Sequence, residues 1–193
     1  MTEAAGRITV LYHPPGELHD AHGELDIGGL AGHVAVIVTD GEDGRSYALD
    51  VWSTEGKPFW APMLLNPDPT SDEDRFNEFS QLSWTLTADQ LEGALDAVNY
   101  YHVNAMDYEV IGQSCVDSVL DVLKGAHLTP ENVLTPWGVW NDLQQIASTL
   151  PDVHLNVCEA HKFEFVTDPD ANSASVQFPV PANFVSVPWS SEP

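Results

Sequence analysis

Basic residues are nearly absent from this chain: six lysines and arginines stand against thirty aspartates and glutamates in 193 residues, a formal charge of −24. A surface of that sign repels polyanions, which argues against nucleic acid and anionic bilayers as partners unless a metal or a basic subunit intervenes. Cysteine is equally sparse. Two thiols, Cys115 and Cys158, are too few for a disulfide framework or a four-thiolate zinc site, and only a single bridge between them stays open. No apolar run reaches bilayer length, so no integral membrane segment is expected. The N-terminus, Met1 to Arg7, lacks the basic region and apolar stretch of a secretory signal. That predicts a protein made in the cytoplasm, with export by a signal-independent system left open. Repeats, low-complexity tracts and linkers are missing too. With 43% hydrophobic residues the composition is globular, and the expectation is one α+β domain spanning 1–193.

What is present reads in order as strands, then helices, then strands. Arg7 to Tyr12 has strand character and ends at Pro14 and Pro15. The glycine-rich stretch Gly28 to Gly32 leads into His33 to Val38, whose nearly continuous apolar, β-branched run predicts a buried strand. Asp40 to Gly44 predicts a turn, and Ser46 to Trp52 the antiparallel return strand. Glu55 to Asp74, rich in Pro, Asn and Asp, reads as a long loop whose Phe59, Trp60 and Met63 either face a substrate or tuck into a satellite core. Phe79 to Leu86 predicts a further strand. The capping box Thr87 to Gln90 opens a helix to about His102, with Leu91, Ala94, Leu95, Val98 and Tyr101 as its buried stripe. His102, near its end, is assigned to complementing the helix dipole. Ser114 and Asp117 approximate a second capping box ahead of Val116, Val119, Leu120 and Leu123, with Gly125 as the stop. Thr135-Pro136 starts a third helix with Trp137, Trp140, Leu143 and Ile146 on one face. Beyond it, alternation predicts short strands at Val153 to Val157, Lys162 to Val166, Val176 to Val180 and Phe184 to Val187.

The chemistry is concentrated at Cys115. A thiol in the first turn of a helix meets unpaired backbone N–H groups and the positive end of the helix dipole, both of which favour the nucleophilic thiolate. A cysteine nucleophile needs a base, and the base needs an orienting group. His33, at the start of a buried strand behind a glycine approach, supplies the base. If the hairpin is centred near Glu42 and Asp43, His33 stands opposite Trp52 and one pair from Asp50. Asp50 then shares its face and supplies the acid, with Asp20 and Asp26 as alternatives from the preceding loop. Gln113 and the backbone N–H of Cys115 are candidate donors to an oxyanion. Cys158 and His161 have no second ligand pair and read as structural.

The order of these parts, Gly32-His33 opening an apolar strand, a following strand with a polar residue, and much later Ser114-Cys115 at a helix start, resembles the circularly permuted branch of the papain-like, NlpC-type superfamily. That branch includes lecithin:retinol-acyltransferase-like proteins and bacterial cell-wall hydrolases, with the histidine ahead of the cysteine. The resemblance spans roughly His33 to Leu123. It implies a papain-like fold, a central antiparallel sheet packed against about three helices, with Cys115 as nucleophile, His33 as base and Asp50 as third member. Ser114 stands where the acyltransferase-like branch has asparagine, which disfavours acyl transfer to lipids. An acidic, unsignalled member resembles an antibacterial effector delivered by a contact-dependent system such as type VI. Its substrate would be peptidoglycan stem peptides, and its protein partners the secretion machinery and an immunity protein.

Two other readings compete with a cysteine hydrolase. One is an acidic, non-catalytic interaction protein, of inhibitor or immunity type, that binds a basic surface. The other is a metal-dependent hydrolase using His13, His19 and His22, which lie with Glu17, Asp20, Glu24 and Asp26 in one polar segment. Their spacing fits no established metal motif, so the segment reads as a solvated loop or cleft wall, and no metal or cofactor is assigned.

Overall fold

The computed structural model describes residues 4–14, 32–53, 59–65, 79–104, 106–109, 112–131 and 134–158. The chain opens with β1 (Gly6–His13), β2 (His33–Asp40) and β3 (Ser46–Leu49), followed by β4 (Val51–Ser53), β5 (Phe59–Leu65) and β6 (Ser80–Leu86). Then come α1 (Ala88–Val103), β7 (Asp107–Glu109), α2 (Cys115–Gly125), α3 (Pro136–Ile146), a 3-10 turn at Ala147–Thr149 and β8 (His154–Asn156). Five strands form an antiparallel sheet in the order β3-β2-β1-β6-β8, and β4-β5-β7 form a second, three-stranded one. With the three helices of the described residues packed on it, the architecture is α+β.

Strand periodicity sorts the main sheet into two faces. Ile8, Val10 and Tyr12 of β1, Val34, Val36 and Val38 of β2, and Leu82, Trp84 and Leu86 of β6 share one core with Leu91, Ala94 and Val98 of α1, Val119, Val122 and Leu123 of α2, and Val139 and Leu143 of α3. The alternate residues Leu11, Ala35, Ile37 and Ala48 join Trp52 and Phe79 in a smaller core on the other face. Burial on both faces accounts for the unbroken apolar run of β2, each fully buried Val or Ile contributing about 1.5–3 kcal/mol.

The caps expected from the sequence are formed. Thr87 and Gln90 make a capping box on α1, and Thr135 Oγ1 accepts from the Gly138 N–H at 3.0 Å with Pro136 in the first turn of α3. α1 and α2 cross where two glycines meet: a Cβ on Gly93 would lie 2.3 Å from the Gly125 carbonyl oxygen, and one on Gly125 would lie 2.2 Å from that of Gly93. This close approach fixes the helix that carries Cys115.

Two expectations need correction. The return strand is not continuous: Ser46–Leu49 pairs with β2, whereas Val51–Ser53 leaves for the second sheet, and the change falls at Asp50. The segment read as a long loop contains a strand, β5. Its pairing with β7 covers Phe59 to Pro62 and its pairing with β4 covers Met63 to Leu65. Pro62 thus stands where the ladder changes partner, the kind of position at which a strand tolerates a missing N–H. His102 lies in the last turn of α1 as expected, and its ring nitrogen Nε2 also donates to the Ala48 carbonyl at 2.8 Å, which ties α1 to the outer strand β3. The expected strands at 162–166, 176–180 and 184–187, and His161, lie outside the described residues. Among those described, no helix is long and apolar enough to cross a membrane.

Candidate active site

Two glycines in left-handed backbone prepare the site. Gly32, φ 81°, turns the chain into His33, and Gly112, φ 102°, turns it into Gln113, Ser114 and Cys115. At these values any other residue carries strain. Ser114 then caps α2: its Oγ accepts from Val116 N–H at 3.2 Å and Asp117 N–H at 3.4 Å, and its own N–H donates to Asp117 Oδ2 at 2.9 Å. The Ser118 N–H closes the first helical turn on the Ser114 carbonyl at 3.1 Å. These bonds use the amides of residues 114, 116, 117 and 118 and leave that of Cys115 outside them, beside its own sulfur.

His33 opens β2 and is 2% exposed; Asp50, at the break between β3 and β4, is 1% exposed. The observed pairs Val36 with Leu49, Ile37 with Ala48 and Val38 with Tyr47 are those of a turn centred between Glu42 and Asp43. Extended, that register brings His33 to Trp52 and puts Asp50 on the same face. The side chains meet accordingly: His33 Nε2–H donates to Asp50 Oδ1 at 2.7 Å. With Nε2 so engaged, Nδ1 is the ring nitrogen left for Cys115, whose thiol is within hydrogen-bonding reach of the ring. Burial alone depresses the basicity of His33. The charge of the Cys115 sulfur, the hydrogen bonds with Asp50 and Cys115, and the charge of Asp50 oppose it and prevail, raising the ring from its ordinary 6.5 to about 9. Both polar neighbours of the ring thus favour its charged form.

Aromatic rings enclose this imidazole. Trp52 stacks on His33 with centroids 3.9 Å apart and planes inclined by 22°, and Phe79 stands edge-on to it at 6.2 Å and 71°. The same Phe79 meets His13 at 5.8 Å. His13, read from the sequence as part of a solvated loop or cleft wall, instead ends β1: it pairs directly with His33 across the β1–β2 ladder, is buried, and donates from Nδ1 to the Pro14 carbonyl at 2.7 Å. The sequence signal was the hairpin itself, since an antiparallel partner for His33 to Val38 starting near residue 6 ends beside His33. His19, His22, Asp20 and Asp26 lie outside the described residues. Among those described, no three His, Cys, Asp or Glu side chains are grouped to hold a metal ion.

Gln113, half-buried, stands two residues before Cys115, and its carbonyl accepts the Glu109 N–H at 3.0 Å, which ties the approach to α2 onto β7. Both cysteines are free: Cys115 is buried, and Cys158, half-buried, donates its N–H to Ser80 Oγ at 3.1 Å. Compared with protein-family models, curated proteins and solved structures, the chain matches none.

Proposed function

We propose that this chain is a cysteine hydrolase of amide bonds, a papain-like domain of the permuted NlpC type acting on peptidoglycan stem peptides. The observation that carries the reading is one buried imidazole, His33, held by Asp50 at 2.7 Å through one nitrogen and in contact with the thiol at the start of α2. The Cys115 sulfur attacks the scissile carbonyl carbon as thiolate, and the oxyanion is received by the Cys115 N–H and the Gln113 side-chain amide. The tetrahedral adduct collapses as the C–N bond breaks, and His33 gives its proton to the leaving amine. A thioester remains. Neutral His33 then takes a proton from water, whose oxygen attacks the thioester, and the acid leaves with regeneration of thiolate and imidazolium. Asp50 keeps the ring in the tautomer and orientation that both steps require.

The decisive test combines reactivity and turnover. In reduced protein carrying C158S, iodoacetamide should alkylate Cys115 rapidly below neutral pH, and H33A should slow it at that pH. C115A and H33A should each abolish cleavage of stem peptides. An unreactive Cys115, or one indifferent to His33, would sink the reading. A second reading, an acidic protein that binds a basic partner, is favoured by a cavity of about 710 Å³ between α1 and the β2–β3 turn, lined by Asp40, Glu42, Glu92 and Asp96. It predicts strongly salt-dependent complex formation that C115A leaves intact.

A further inference from the structure

We infer that Trp52 is the positioning residue of this site: its indole lies flat on the His33 ring, holds the imidazole in the one plane that serves Asp50 and Cys115 together, and favours the charged ring over the neutral one. As a statement about hydrolysis this rests on the catalytic reading above. As a statement about His33 it rests on the stacking of the two rings and on the charge that Asp50 and Cys115 favour on the imidazole.

The geometry is that of a cation against an aromatic face. Centroids 3.9 Å apart with planes inclined by 22° place the imidazole over the indole, well inside the distance at which a ring quadrupole attracts a cation. Trp52 is 1% exposed and His33 2%, so no water competes for that face. A single short stretch of chain supplies both restraints, since Asp50 meets the edge of the ring and Trp52, two residues on, covers its face. An imidazole held only at Nε2 pivots about that bond, and each degree of pivot swings the opposite nitrogen away from the thiol. Covering the face removes the pivot, and Phe79, edge-on at 71°, limits the remaining side. Among the described residues, the titratable groups that face His33 are Cys115 from α2, Asp50 between β3 and β4, and His13 from β1. Trp52 is neutral, so replacing it changes none of these charges, and any movement of the His33 titration reports what the indole contributes.

The test is an NMR titration of histidine-labelled, reduced protein, with His33 assigned through H33Q. Replacing the indole by an apolar side chain of similar reach, W52M, should lower the His33 midpoint by roughly one pH unit, and W52F, which keeps an aromatic face, by less than half of that. The opposite sign has an equally clear meaning. If Trp52 only excluded water, W52M would admit it, relieve the burial that opposes the charged ring, and raise the midpoint; a rise, or no change, overturns the proposal. Should W52M fail to fold, fluorotryptophan incorporated throughout the chain decides. Fluorine withdraws charge from the indole face at nearly constant shape, so the midpoint should fall in the Trp52 protein and stay fixed in W52F, and equal behaviour of the two overturns the proposal. Neither arm measures hydrolysis, so a chain inert toward peptides would remove the catalytic reading and leave this one standing.

Discussion

Asp50→Asn isolates the charge in the His33 contact while keeping an oxygen at hydrogen-bonding distance. In the wild type the bond runs 2.7 Å between groups that are 2% and 1% exposed, so neither solvent nor salt screens it appreciably. A hydrogen bond to a charged partner is worth about 1.5–3 kcal/mol and a neutral one about 0.5–1.5 kcal/mol, so losing the charge removes about 1–2 kcal/mol of preference for the imidazolium. At 1.36 kcal/mol per pH unit that lowers the His33 titration by about one unit, from about 9 toward about 8. The proton that His33 must give to the leaving amine is then held less firmly, and kcat/KM should lose its alkaline plateau at correspondingly lower pH. The assay is a pH profile of stem-peptide cleavage beside an NMR titration of His33. Both midpoints should move down together, with D50N closest to wild type below pH 7. Profiles that superimpose, or a His33 midpoint that rises, would refute the claim that Asp50 holds the ring in its charged form.

Three further outcomes follow from the same coordinates. Folded His33 binds its proton more tightly than the unfolded ring, so its stabilisation is complete below 6.5 and is lost as pH rises through about 9; the whole effect is on the order of 3 kcal/mol. Urea midpoints should fall across that window and H33Q should flatten the fall, whereas a wild type as stable at pH 9.5 as at 6 would contradict it. Gly93→Ala should destabilise by about 1–3 kcal/mol, because the new Cβ would meet the Gly125 carbonyl oxygen at 2.3 Å; a surface glycine in a helix would gain about 1 kcal/mol on the same change, so the sign of the urea shift is the readout. Ser114→Ala should cost about 1 kcal/mol by freeing the Val116 and Asp117 amides, and S114T should recover most of it.

The parts of this site that could be read from the sequence are those set by local rules. A cap needs Ser114 and Asp117 at fixed spacing, and a hairpin turn centred on Glu42 and Asp43 fixes every pair along the ladder, so Cys115 at a helix start and Asp50 on the face of His33 were both legible. What was not legible depends on partners distant in sequence. Phe59–Leu65 shows no alternation because its ladder is shared between β4 on one half and β7 on the other, with Pro62 at the change. The break of the return strand at Asp50 has no turn residue to announce it, and it is set by the pull of β4 toward β5.

The β2–β3 ladder ends at Leu49 and Val51 to Ser53 pair with β5, yet residues 50 and 52 keep the side that the register gives them: the Asp50 carboxylate stands 2.7 Å from the edge of the His33 ring and Trp52 covers its face. The second sheet thus acts on the site directly: β4 carries Trp52 away from the first sheet, and β7, bridged to Gln113, anchors the approach to Cys115. β5 pairs with both, so the strand hidden in an apparent loop couples the acid side of the site to the thiol side. A change that weakens β5 pairing would loosen His33 and Cys115 together.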